Sequence, residues 1–225
     1  MADGDITQNL LDELGLRLED ADEVKFTQEA KLEALNKAQL RLSQLLHDGY
    51  LTELEKVDSD VDVTSEGIIN LDSINTNGNG ILRGGEGIIR VQVDIGGHGG
   101  ASLKWATEIE LRDIKKTQNT FLAGSNTNPL YYVFQKQIKI IITTYIGTKA
   151  NVYYLQIPPT MATNVDPIIN PSLRHLMLDL AESDCWKMDN KHDRATVARN
   201  SAFEEIKVLN ERYTIPEGIG TNNRK

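Results

Sequence analysis

This 225-residue chain contains a single cysteine, Cys185. An intrachain disulfide framework and a multi-cysteine metal site are therefore excluded, and the chain reads as made in a reducing cytosol. No apolar run approaches the ~20 residues that a membrane span needs. The opening MADGDITQNL lacks the basic-then-apolar layout of a signal peptide. Aromatic residues make up only 6% of the chain, few for a module that recognises sugars through exposed rings. Basic charge is also scarce at one end. Residues 1 to 62 hold 16 acidic and 6 basic side chains, while the remainder is nearly balanced, and the net charge is −9. No basic patch that would clamp phosphates is evident.

What is present is ordinary globular composition, 40% hydrophobic and 25% charged, in a chain long enough for one or two domains with a real core. Residues 5 to 20 carry Ile6, Leu10, Leu14 and Leu18 at helical spacing, weakened somewhat by Gly15. Thr27 suits an N-cap. After it, QEAKLEALNKAQLRLSQLL predicts an amphipathic helix with Leu32, Leu35, Ala38, Leu42 and Leu45 on one stripe, ended by Gly49.

The texture then changes to strands. YLTELEKVDSDVDV, GIINLDS, GIIRVQVDIGG and ASLKWATEIELRDI alternate, and NTNGNG, GGEG and GGHGG between them read as turns. The later stretch predicts a hairpin, with IKIIITTY and NVYYLQI as strands and IGTK as the turn. Pro158 and Pro159 stop the sheet. Asn170 and Pro171 then open a helix with Leu173, Leu176, Met177, Leu180 and Ala181 on one side. A last helix carries Ala198, Ala202, Ile206, Leu209 and Tyr213 at helical spacing. The tail TIPEGIGTNNRK has no periodicity.

The expected fold class is α+β. N- and C-terminal helix pairs, 1–48 and 166–213, would form a four-helix bundle. An antiparallel β-domain, 49–165, would be inserted and project from it, and 214–225 would be an extended C-terminal arm.

Several stretches tempt a chemical reading. His175 and Asp179 share a helix face, with Cys185 and His192 following. A thiol nucleophile needs a partnered base and an electropositive setting, whereas Glu182 and Asp184 would raise the pKa of Cys185. The expectation is a structural cysteine and a surface or interface histidine. DSDVDVTSEGII begins like a calcium loop at Asp58, but the required glycine and glutamate positions hold Val63 and Ile69. The reading preferred there is a strand with an acidic outer face. GNGILRGGEG and GGHGG fit neither phosphate-loop pattern and read as hairpin turns. No catalytic, cofactor or metal constellation emerges, and the expected function is not enzymatic.

The segment order resembles a known family. LLDELGLRLEDADEVKFTQEAKLEALNKAQLRLSQLL is similar to the opening of phage head-to-tail adaptor proteins, the podovirus tail tubular protein A-like connectors that sit beneath the portal. The matching residues are Arg17, Leu18, Asp20, Leu35, Asn36, Lys37, Ala38, Gln39 and Leu42. ATEIELRDIKKTQNTFLAGSNTNPLYYVFQKQIKII resembles the stretch leading to the family's P-x-Y-Y and strand. NVYYLQIPPTMATNVDPIINPSLRHLMLDLAESDCWKMDNKHDRATVARNSAFEEIKVL resembles its ending. The match runs over about residues 8 to 213, and the glycine-rich stretch 77–100 is longer than the family's.

The resemblance implies a virion structural protein of the head–tail neck, assembled in the host cytoplasm and needing no cofactor. It implies a ring of about 12 copies between the portal protein and a tail nozzle or tail tube protein. Genomic DNA would pass through the lumen without sequence-specific binding. It also implies a C-terminal arm docking on the portal, here residues 214–225. That tail is too polar to fold alone, and on docking Ile215, Pro216 and Ile219 would be its apolar anchors, with Arg224 and Lys225 pairing with acidic portal residues. Two other classes stay open. One is a tail-associated receptor- or glycan-binding module; the other is a hydrolase acting on nucleic acid or cell wall.

Overall fold

A computed structural model describes residues 5–20, 22–74, 80–95, 103–118, 123–142 and 148–213. The chain divides into two compact units, one of residues 1–53 with 158–225 and the other of residues 54–157.

The first unit holds four helices: α1 (Asp5–Arg17), α2 (Gln28–Leu45), α3 (Arg174–Met188) and α4 (His192–Glu211). Helix α3 packs against the other three. Its sequence explains why. Leu176, Met177, Leu178, Leu180, Ala181, Cys185 and Trp186 are all buried, so α3 covers a wider apolar face than one stripe, while Arg174, His175, Asp179, Glu182, Asp184 and Lys187 occupy the remainder. The outer helices bury one stripe each. On α1 the stripe is Leu10, Leu14 and, just past the helix, Leu18; on α4 it is Ala195, Ala198, Ala202, Ile206 and Leu209. Helix α2 is rotated slightly from its periodicity. Ala34, Leu35, Ala38 and Leu42 are buried, and so is Lys31, while Leu32 and Leu45 are only half-buried. Each fully buried leucine contributes roughly 1.5–3 kcal/mol.

Side chains close the helix ends. Thr27 Oγ1 accepts from the Ala30 N–H at 3.3 Å, the predicted N-cap. Asn170 caps a short 3-10 turn, Pro171–Leu173, which leads into α3. Asp166 caps α1 from far along the chain, its Oδ1 accepting from the N–H groups of Ile6 and Thr7 at 3.0 Å each. Asn210 closes the end of α2. Its Nδ2 donates to the Leu45 carbonyl at 2.7 Å, and its Oδ1 accepts from the His47 N–H at 2.8 Å.

The second unit overturns the expected four-helix bundle with an inserted antiparallel domain. Residues 54–157 build a seven-stranded mixed sheet, nearly closed into a barrel. Its strands are β1 (Glu55–Val63), β2 (Ile68–Asn70), β3 (Ile88–Asp94), β4 (Leu103–Glu108), β5 (Leu130–Phe134), β6 (Gln137–Ile141) and β7 (Thr148–Leu155). Their order is β1-β7-β3-β4-β5-β6-β2, and the two edge strands β1 and β2 approach one another. One pair, β4 with β5, is parallel. A parallel return needs a long connection, and residues 109–129, with a 3-10 segment Leu111–Gln118, supply it. The inward faces of the strands meet in one core, including Ile69, Val91, Val93, Ile138, Ala150 and Val152.

The predicted hairpin is also corrected. β6 and β7 do not pair; β6 lies between β5 and β2, and β7 between β1 and β3. The true hairpin is β5–β6, joined at Gln135 and Lys136, with Gln135 at φ 50°. Of the predicted turn IGTK, 146–147 lie outside the described residues, and Thr148 and Lys149 belong to β7 instead of a turn.

Candidate functional site

Most of the residues singled out between Arg17 and Leu42 hold the helical unit together. Arg17, at the end of α1, donates to Asp179 on α3 at 2.6 Å and to Glu13 at 3.1 Å. Burial pulls its pKa down, but the hydrogen bond and charge of Asp179 more than offset this and leave it raised. Leu18 is fully buried. Asp20, itself buried, accepts from the Lys25 N–H at 2.9 Å and the Phe26 N–H at 2.8 Å, turning the chain into α2. Burial pushes its carboxyl up, yet these backbone donors prevail and hold it below the ordinary value. Leu35, Ala38 and Leu42 are core.

Asn36 and Gln39 have a different task. Asn36 Oδ1 accepts from the Met161 N–H at 2.7 Å, and its Nδ2 donates to the Met161 carbonyl at 3.2 Å. Gln39 Nε2 donates to the Pro159 carbonyl at 3.0 Å. The irregular segment after the double proline thus runs along α2 with its backbone groups paired by side chains. Lys37 faces solvent and pairs with Glu33 at 2.6 Å.

The stretch from His175 to His192 does not converge on one site. His175 meets Glu205 of α4 at 2.8 Å on the surface, and Asp179 goes to Arg17. Cys185 is fully buried. Burial first, then the charge of Asp184, pushes its thiol up to about 12, so no thiolate is available near neutrality. Among the described residues no group of three His, Cys, Asp or Glu side chains is placed to hold a metal ion. DSDVDV forms most of β1, interrupted by a bulge between Asp58 and Val61 where Asp60 takes φ 59°. GGEG (84–87) is a short 3-10 turn, and a Cβ on Gly87 would collide with the Leu82 carbonyl. GGHGG lies outside the described residues, as do Ile215, Pro216, Ile219, Arg224 and Lys225.

Two surfaces remain that could recognise something. The first is an open groove of about 570 Å³ in the helical unit, lined by Arg17, Glu19, Asp179, Glu182, Trp186 and Arg194. Its floor is satisfied internally. Trp186 Nε1 donates to Glu182 at 3.1 Å, and Lys191 and Arg194 lie 4.9 and 4.8 Å from its ring centre.

The second surface is on the sheet. The outward residues of β3, β4 and β7 bring together Arg90, Gln92, Trp105, Asn151 and Tyr153. The Arg90 guanidinium carbon lies 4.6 Å from the Trp105 ring centre and 4.7 Å from that of Tyr153. Gln92 Oε1 accepts from Asn151 at 3.2 Å. Sequence reading passed over this group. Its signal was present in RVQVD, where polar outward positions alternate with buried Val91 and Val93, and in a tryptophan at an outward strand position.

No protein-family model matches this chain, and no curated protein matches it.

Proposed function

We propose that this chain is a virion structural protein, a head-to-tail adaptor that forms a ring between portal and tail. The observation that carries this reading is the ordered run of residues similar to adaptor connectors over about positions 8 to 213. Its support is that Arg17, Leu18, Asp20, Asn36 and Gln39 each do structural work within the helical unit. Such residues define a scaffold, and a shared scaffold is what a family of wall-forming subunits would keep.

The physical logic suits a channel wall. Close-packed helices resist deformation, and repeated copies around an axis need side-by-side surfaces rather than a deep pocket. DNA has to move through quickly. A lumen that neutralised many phosphates would grip it, whereas a chain of net charge −9 offers little such grip. The segment 214–225 would dock on the portal through Ile215, Pro216 and Ile219, with Arg224 and Lys225 meeting portal carboxylates.

Negative-stain imaging of purified portal rings mixed with this protein tests the reading. A second tier beneath the portal ring is expected. Portal rings that keep their bare outline at saturating protein would overturn it.

A further inference from the structure

The sheet surface around Arg90 has the make-up of a contact hot spot. Tryptophan, tyrosine and arginine are the residues most enriched at such places. Here the three are held on neighbouring strands, in register, with Tyr153 opposite Arg90 and Trp105 opposite Gln92. The two rings lie 5.4 Å apart at 45°, and Trp105 is 48% exposed. Stacking fixes the guanidinium, so less side-chain freedom is lost when its donors are engaged. Among the described residues Arg90 makes no ion pair, and its charge is matched only by the two ring faces.

That geometry narrows what fits. The ring faces turned toward Arg90 are covered, which leaves them closed to a stacking sugar or base. A polyphosphate would meet one cation on a chain of net charge −9. A single carboxylate beside an apolar side chain matches both halves of the surface, because guanidinium and carboxylate pair through two parallel bonds.

The same chain presents such a feature. In the turn between α1 and α2, Val24 is 84% exposed, the most exposed large hydrophobic residue described, and the exposed Asp22 stands two residues before it. A ring closes through head-to-tail contacts, so one chain must carry both complementary halves.

Resting on the ring reading above, we infer that the Arg90–Trp105–Tyr153 surface docks the Asp22–Val24 turn of a second copy of this chain. Analytical ultracentrifugation of the full chain tests this across a concentration series. Wild type should self-associate, and R90D and D22R should each weaken association by about 10-fold, the scale of one lost charge pair at an interface. W105A should weaken it similarly. The charge-swapped R90D/D22R double variant should recover part of the loss, the charge pair without the stacked guanidinium. Both charge sites are exposed, and unchanged urea midpoints would confirm that each variant folds.

Wild-type association by R90D overturns the inference, as does a wild-type chain that stays monomeric throughout. Portal capture, measured in parallel, separates the two ideas. A monomeric chain that still binds portal rings sinks this contact and leaves the adaptor reading in place. Association that depends on Arg90, with no portal binding, sinks the adaptor reading and keeps the contact. Loss of portal capture in R90D with self-association intact assigns the surface to the portal and overturns the second-copy occupant.

Discussion

Replacing Asn36 by leucine removes the pair of hydrogen bonds that fastens Met161 to α2. Met161 is 1% exposed, and its N–H and C=O both rely on the Asn36 carboxamide, at 2.7 and 3.2 Å. Each buried backbone group left unpaired costs about 1–3 kcal/mol. The two losses share one side chain and do not add fully, so a total near 3 kcal/mol is expected. With a urea m-value of about 2 kcal/mol/M, the midpoint should fall by roughly 1.5 M. The two tryptophans fall in different units, Trp186 buried among the helices and Trp105 on the sheet. A W105F background therefore makes fluorescence report the helical unit alone. Asn36→Asp sharpens the test. It keeps an acceptor for the Met161 N–H but turns a second anionic oxygen toward the Met161 carbonyl. At pH 7 it should be at least as damaging as leucine, with partial recovery below about pH 4, where the carboxyl regains a proton to donate. A leucine variant whose midpoint stays within about 0.2 M of wild type refutes the argument that these bonds hold the returning chain.

Cys185 should resist thiol reagents in the folded protein. With its pKa raised from 9.0 to about 12, the thiolate fraction at pH 8 falls about 1,000-fold relative to the unfolded chain. Labelling should therefore track opening of the helical unit, and rapid labelling under native conditions contradicts the buried assignment. The sign of its pH linkage follows from a raised pKa: the contribution of Cys185 to stability is complete below pH 9.0 and is lost as pH climbs toward 12. Asp20 works in the opposite sense. Its folded pKa is lowered from 3.8, so its contribution is present above that value and lost as pH falls below it. Asp20→Asn should lower the urea midpoint at pH 7 and lose less than wild type between pH 5 and pH 3; parallel pH curves would count against the backbone-donor account. Deleting 214–225 should leave helical content and the urea midpoint unchanged while abolishing capture by immobilised portal. Undiminished capture removes the docking role from Ile215, Pro216, Ile219, Arg224 and Lys225.

Helix positions were legible because each helix writes its buried side into a 3.6-residue period. Leu10, Leu14 and Leu18, the α3 stripe from Leu173 to Ala181, and Ala198 to Leu209 are buried as their spacing implies, whereas Ile6 is only half-buried and Tyr213, past the end of α4, is exposed. The Thr27 cap and the placement of Cys185 also followed from local chemistry. Tertiary structure decided the rest. Period-two alternation states which residues of a strand face inward, but backbone hydrogen bonding is the same for any partner, so strand order stays open. The sheet's parallel β4–β5 pair and the separation of β6 from β7 were settled by how the inward faces of all seven strands share one core. Asp166 capping α1 and Asn36 clasping Met161 join residues more than a hundred positions apart. Arg90, Trp105 and Tyr153 become one surface only when β3, β4 and β7 lie side by side. The sequence by itself determined which faces are apolar; only the folded chain determined which of those faces meet, because burial is a property of one residue and pairing is a property of two.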